Sequence, residues 1–169
     1  TENFAVVFTW SVWIKGVGLI AAVFGSPWGV LSPWRTLYDG LVRLEGDQLA
    51  VLGTYPTWLK EWPALIGFLV WLGIVDNLTV VPRSPAATAG LVAGYAGVMV
   101  LGGVAFGPAW FRRADTLEVL YRLLGRVAPF QFRDEGEAVV LSVRTPWEAC
   151  TSSVQNTVVA AFVIGTVYT

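Results

Sequence analysis

The chain has 169 residues, of which 55% are hydrophobic and 14% are charged, and its mean hydropathy is +0.61. Soluble domains carry roughly a quarter charged residues, so this composition argues against an ordinary soluble domain and predicts an integral membrane protein. The formal net charge of −1 gives no indication of a nucleic-acid partner.

Two absences limit the chemistry that these residues can perform. The sequence contains no histidine, and its single cysteine is Cys150. An intrachain disulfide is therefore excluded, and the imidazole that usually binds zinc, copper or haem is missing, so we expect no metal and no cofactor. Ser26 has no histidine to complete a catalytic triad, and Cys150 has none to activate its thiol. We predict no catalytic residue.

Four apolar runs are predicted to cross the membrane as helices. The first, Phe4 to Phe24, is long enough to cross a hydrocarbon core of about 30 Å. The second, Trp62 to Val81, opens with a proline, which a helix tolerates at its start. A turn at Pro82 to Pro85 separates it from the third, at about Ala87 to Phe106. The fourth runs from near Ser153 to Thr169.

The third span is rich in glycine. Gly90 and Gly94 form a small-xxx-small pair within GLVAG, a pattern that suits close contact between helices in lipid. We therefore predict helix packing at these two positions. The alternative is a membrane helix that tolerates glycine without using it.

Two amphipathic helices are predicted in the long connections, at Pro33 to Leu44 and at Asp115 to Val127. Asp115 or Thr116 could be the N-cap of the second helix. The apolar stripes are Leu37, Leu41 and Leu44 in the first helix and Leu117, Leu120, Leu124 and Val127 in the second. We expect both helices to lie at the membrane interface, with headgroup-level anchors at Trp28, Trp34 and Trp110.

Two matching blocks indicate an internal repeat. The first and third spans each end in Phe-Gly followed by a Trp, and an LYxxLxR helix comes after each. We predict a unit A at 1–81 and a unit B at 86–169, arranged as a parallel repeat. Chance similarity among residues common in membranes is the alternative. Apolar residues around a charged turn at 134–137 predict a small β-hairpin in unit B, outside the bilayer.

The expected fold class is therefore all-α integral membrane, with about four transmembrane helices, two interfacial helices and this hairpin. Basic residues set its orientation, because Arg83 is the only one between the second and third spans. The positive-inside rule then places both long connections in the cytoplasm and the start of the first span outside, in the plasma membrane. The basic residues of the long connections are Arg35, Arg43, Lys60, Arg112, Arg113, Arg122, Arg126, Arg133 and Arg144.

Lys15 and Asp76 are the only charged residues inside the predicted spans, where an unpaired charge costs at least about 2.5 kcal/mol. They are candidates for an ion or proton site between the first two spans. A structural ion pair, or a lysine that reaches outward to the interface, explains them equally simply. Arg112 and Arg113 could bind anionic lipid headgroups, although a topology signal also accounts for them.

Three blocks of the sequence are distinctive. They read FGSPWGVLSPWRTLYDGLVRLEG, YPTWLKEWPAL and FGPAWFRRADTLEVLYRLLGRVAPF. Through these blocks, the stretch from about Phe4 to Val143 resembles a family of prokaryotic multi-pass membrane proteins named fenitrothion hydrolases. The resemblance implies an organophosphate esterase with further spans downstream. Esterases of this kind generally use a metal held by His and carboxylates, whereas this chain has no His.

Three functions follow as hypotheses. The first is a membrane-embedded subunit or scaffold of a larger assembly, with the lipid bilayer and other membrane subunits as partners. The second is part of a solute or ion transporter, and the third is a membrane-bound hydrolase. Because the chain starts at Thr1 without Met and ends within an apolar run, we expect it to be a fragment of a longer polypeptide, whose remainder is another candidate partner.

Overall fold

The computed structural model describes residues 3–46, 50–71, 79–134 and 139–143. Helices dominate this part of the chain. In chain order they are α1 (Phe4–Phe24), α2 (Trp28–Leu31), α3 (Pro33–Glu45), α4 (Trp62–Phe68), α5 (Pro85–Phe106), α6 (Pro108–Ala114) and α7 (Thr116–Leu124). Short 3-10 turns lie at Thr57–Leu59, Val81–Arg83 and Gly125–Val127.

Helices α1 and α5 are long and apolar enough to cross a membrane. Side chains cap both N-termini: Asn3 accepts from the N–H of Ala5, and Ser84 accepts from the N–H of Ala87. Helix α1 is α-helical at Phe4–Val7 and Val17–Phe24, with a π-helical segment at Phe8–Gly16 between them. These helices match the predicted first and third spans. The second span lies partly outside the described residues, at 72–78, and the fourth lies wholly outside them.

Helices α1 and α5 run side by side in the same direction. Near their N-termini, the indole N–H of Trp10 donates to Thr88 Oγ1 at 3.2 Å, and the Thr88 hydroxyl donates to the carbonyl of Val81 at 2.9 Å. Further along, Trp13 and Val92 line the same small cavity. The first hydrogen bond fixes the N-terminal ends of the two helices to each other at one level, and the second holds Thr88 to the turn that precedes α5.

The two Phe-Gly blocks follow the same local path. Gly25 and Gly107 end the long helices with φ of +88° and +71°, a region that favours glycine because it has no Cβ. A short helix follows each glycine and is broken by one extended residue, Ser32 with ψ of 112° or Asp115 with ψ of 115°. That residue is the N-cap of the longer helix that comes next. The division into units A and B stays a prediction, because the ends of both predicted units lie outside the described residues.

The longer helix of each block packs against the other half of the chain. Helix α3 packs against α5, and α7 packs against α1 and α4. The Tyr121 ring of α7 lies against Gly18 of α1, and Tyr38 of α3 lies against Phe111 with 5.2 Å between ring centroids. The chain after α3 caps the end of α5, since the N–H of Val51 donates to the carbonyl of Val104 at 3.0 Å. The core therefore lies between the blocks and is made by both.

The structure corrects the expectation that α7 lies at a membrane interface. It is a core helix, because Leu117, Val119, Leu120 and Tyr121 are all buried and face more than one neighbouring helix. An amphipathic pattern shows which face needs cover but not whether lipid or protein covers it. In α3, Trp34 and Tyr38 are buried, whereas the predicted leucine stripe is exposed at Leu37, Leu41 and Leu44.

Strands β1 (Phe130–Asp134) and β2 (Val139–Val143) form an antiparallel pair, in the register that pairs the backbone of Phe132 with that of Leu141. This pairing confirms the hairpin that the sequence predicts in the second long connection. The ring of Phe130 stacks on Phe24 at 5.8 Å between centroids, so the start of the hairpin is held against the end of α1.

Candidate functional site

The most unusual group in the described residues is the carboxylate of Asp115, which is 1% exposed. It lies in the break between α6 and α7, at the centre of the core. Four donors converge on its two oxygens. Oδ2 accepts from the indole N–H groups of Trp28 at 2.9 Å and Trp34 at 2.6 Å. Oδ1 accepts from the hydroxyl of Tyr95 at 2.9 Å and the N–H of Leu117 at 3.0 Å.

The two tryptophans come from the other Phe-Gly block, where they flank the Ser32 break. Trp28 and Trp34 are 0% and 1% exposed, and their rings meet edge to face at 5.4 Å. This finding corrects their assignment as headgroup anchors. An indole is often found at an interface because it needs both apolar contact and one acceptor. Here a buried carboxylate supplies the acceptor, so both rings lie inside the protein.

Tyr95 satisfies the broken backbone on the other side of the site. Its hydroxyl donates to Asp115 and also accepts from the N–H of Thr116 at 2.8 Å. The Thr116 hydroxyl donates in turn to the carbonyl of Ala64 at 3.1 Å. A helix break inside a core would otherwise leave polar backbone groups without partners. Asp115, Tyr95 and Thr116 together prevent this.

No lysine or arginine in the described part of the chain forms an ion pair with Asp115. Burial raises the pKa of this carboxyl, because a charge is poorly solvated there, while the donors from Trp34, Trp28, Tyr95 and Leu117 act in the opposite direction. Burial outweighs the donors, so the pKa lies above its ordinary value. Burial likewise raises the pKa of the neighbouring Tyr121.

The position of the site along α5 follows from Tyr95, which lies near the middle of this 22-residue helix. After Gly107 the chain turns back, and α6 packs alongside the end of α5. Asp115 therefore lies level with the middle of α5 and not beyond its end. The irregular backbone of this break is buried by protein at Ala114, Asp115 and Thr116.

The arrangement is poorly suited to binding a metal ion. All four donors point at the carboxylate, so its lone pairs are already used. The described residues also contain no group of three or more His, Cys, Asp or Glu side chains that could hold a metal. The site can join the two blocks through the hydrogen bonds from Trp28 and Trp34 to Asp115.

The structure does not bring the charged candidates of the sequence into this site. Lys15 is exposed, which does not fit a place in the protein interior. Asp76 lies outside the described residues, so its pairing with Lys15 stays a prediction. Arg112 is exposed, and the Arg113 guanidinium lies 5.7 Å from the centre of the Tyr55 ring, a cation–π contact.

Trp110 packs against described residues, whereas Gly90 and Gly94 do not. The Trp110 ring stacks on Phe106 and packs against Gly102, and its buried Nε1 has no hydrogen-bond partner among the described residues. Gly90 and Gly94 are exposed, with no described neighbour within 4 Å of the place that a Cβ would take. Their packing is therefore not within the described part of the chain.

The sequence offered Asp115 or Thr116 as the N-cap of α7, and the structure shows that it is Asp115. Its role as the acceptor for two tryptophans was missed, as was Tyr95. One signal was available: Asp115 occupies in the second block the place of Ser32 in the first, so a charged residue replaces a neutral N-cap.

Comparison with known proteins adds nothing to this geometry, because no family model, curated protein or solved structure matches the chain.

Proposed function

We propose that this chain is a multi-pass protein of the plasma membrane and serves as a membrane-embedded subunit or scaffold of a larger assembly. The observation that carries the proposal is the exposure of α5. This helix is long enough to cross a membrane, and only 11% of its apolar stretch is buried within the described residues. Its exposed apolar residues include Val98 and Leu101. A surface of this kind needs lipid or another helix against it.

The glycines of α5 favour another helix. Gly90, Gly94 and Gly97 lie on one face at helical spacing, and none has a described neighbour at its Cβ position. Small residues in membrane helices allow two backbones to approach closely. In contrast, Gly102 and Gly103 of the same helix are already filled by Trp110 and Phe111. The open face is thus the part of α5 that is available to a partner.

The finer topology belongs to the same proposal. Four spans, with both long connections in the cytoplasm, are supported by the parallel course of α1 and α5 and by the distribution of basic residues. The polypeptide that would complete the assembly is a second membrane protein or a further part of this one.

The proposal is tested by purifying the full-length protein in mild detergent and identifying what co-purifies in stoichiometric amount. We expect a membrane-protein partner that is lost with Gly94→Ile and kept with Gly40→Ile. The control is matched, because Gly40 is also an exposed helical glycine with no neighbour at its Cβ position. Both variants should keep the thermal midpoint of the isolated chain. A protein that purifies without any stoichiometric partner contradicts the scaffold function.

The other two functions have less support. Transport is favoured by the buried Asp115 at the depth of the middle of α5, and substrate-dependent ion flux in liposomes would identify it. A hydrolase follows from the family resemblance alone, and no group of metal ligands in the described residues favours it.

A further inference from the structure

Asp115 carries a formal charge that no described cation balances, so its surroundings decide which protonation state is stable. The titratable groups that feel its charge are Tyr95 from α5 and Tyr121 and Glu118 from α7. Arg35 of α3, Arg112 of α6 and Arg122 of α7 act on Glu118. Helices α2 and α4 carry no titratable side chain, and the only one in α1, Lys15, is exposed. Within the described residues, the donors to the carboxylate are therefore all neutral groups.

The hydrogen bonds permit a neutral carboxyl with a single change. A proton on Oδ2 would oppose two indole N–H groups that cannot turn, those of Trp28 and Trp34. A proton on Oδ1 meets the hydroxyl of Tyr95, whose oxygen already accepts from the N–H of Thr116 and would accept this proton as well once its own proton turns away from Oδ1. The N–H of Leu117 can still donate to Oδ1. One hydroxyl turns, and one buried charge is removed.

Cavities lead from the surface towards the cluster. A groove of ≈ 310 Å³ between α1 and α5 shares Thr9 and Val92 with a cavity of ≈ 10 Å³. That cavity is about large enough for one water and is bordered by Trp34, Trp71 and Leu117. The lining of this cavity is apolar, so it brings open space next to two residues that donate to Asp115, Trp34 and Leu117, but no polar partner for a water.

We propose that Asp115 is a proton-binding site inside the helix bundle, that its proton resides on Oδ1, and that the Tyr95 hydroxyl turns to receive it. The reaction is a simple protonation: a proton from water enters as the carboxylate becomes a carboxylic acid, and no other bond changes. Tyr95 is a positioning residue. The inference goes beyond the proposed function and does not depend on it, since a scaffold and a transporter could both contain this site.

Infrared difference spectroscopy of the full chain across a pH titration tests the proposal. A protonated carboxylic acid has a carbonyl stretch that a carboxylate lacks, and burial keeps it apart from exposed carboxyl groups. We expect such a band to grow as the pH falls, to be lost in Asp115→Asn and to be kept in Asp39→Asn. Asp39 is the matched control because it is an exposed aspartate of α3, next to the buried Tyr38.

Tyr95→Phe supplies a second variant in case Asp115→Asn does not fold. Its ring preserves the packing on Trp34 and Trp71, but it loses the hydroxyl that contacts Oδ1. We expect the band to change frequency and its titration midpoint to rise, because the ionised carboxylate loses a donor. A wild-type titration without such a band would overturn the proposal, as would a band that neither Asp115→Asn removes nor Tyr95→Phe shifts.

Discussion

The indole N–H of Trp34 donates to Oδ2 of Asp115 at 2.6 Å, across 81 residues of sequence. Each residue borders or forms the break in its own Phe-Gly block, and neither block can satisfy its own buried polar group alone. The buried indole of the first block and the buried carboxylate of the second block are therefore satisfied only when the two blocks pack together.

Trp34→Phe should destabilise the protein by at least about 1–3 kcal/mol, because the donor to a buried carboxylate is lost and the smaller benzene ring leaves part of the buried indole volume unfilled. Trp58→Phe is the control, since Trp58 is 75% exposed. The free energy of unfolding in detergent, measured for both variants, checks this. Equal values for the two would show that the indole N–H contributes nothing to stability.

Gly125→Ala should destabilise the protein by about 1–3 kcal/mol through overpacking. A Cβ at this position would lie 2.8 Å from the backbone nitrogen of Ser26, in the turn after α1, and a backbone cannot easily move aside. Gly40→Ala has free space around it and should stabilise α3 by up to about 1 kcal/mol. Thermal midpoints of the two variants should therefore move in opposite directions; a fall of similar size in both would show that loss of glycine itself, and not the contact with Ser26, is responsible.

Asp115 should make stability fall as the pH rises. Its pKa is raised above the ordinary value of 3.8, so between 3.8 and the folded value the native state binds more protons than the unfolded state. The free energy of unfolding therefore decreases with pH across that window, and this group adds no further slope above it. Thermal midpoints against pH should lose this slope in Asp115→Asn and keep it in Asp39→Asn. An unchanged slope in Asp115→Asn would assign the effect to another group, with Glu118 the first candidate because burial also raises its pKa.

Positions 40 and 135 should be labelled from the same side of the membrane, because each lies in one of the two long connections that carry the basic residues. Single cysteines at these positions, in a background where Cys150 is replaced by Ser, can be tested with an impermeant thiol reagent on cells and on inverted vesicles. Labelling from opposite sides would refute the proposed topology.

The sequence by itself determined the two long helices and much of their local detail. The long apolar runs predicted α1 and α5, the glycines after Phe24 and Phe106 marked where these helices end, and the N-cap of α7 was narrowed to Asp115 or Thr116. These features depend on neighbours within a few residues, which a single sequence shows directly. The hairpin at the second connection was predicted for the same reason.

Only the tertiary structure decided what covers each apolar face. An amphipathic helix buries its stripe equally well against lipid or protein, so the sequence placed α7 at the interface, whereas α1 and α4 bury it. For the same reason Trp28 and Trp34 were predicted as headgroup anchors. Their acceptor, Asp115, lies more than 80 residues away, and its position depends on how the two blocks pack. A single sequence does not show which distant residues meet, so the hydrogen bonds from Trp28 and Trp34 to Asp115 are seen only in the folded structure.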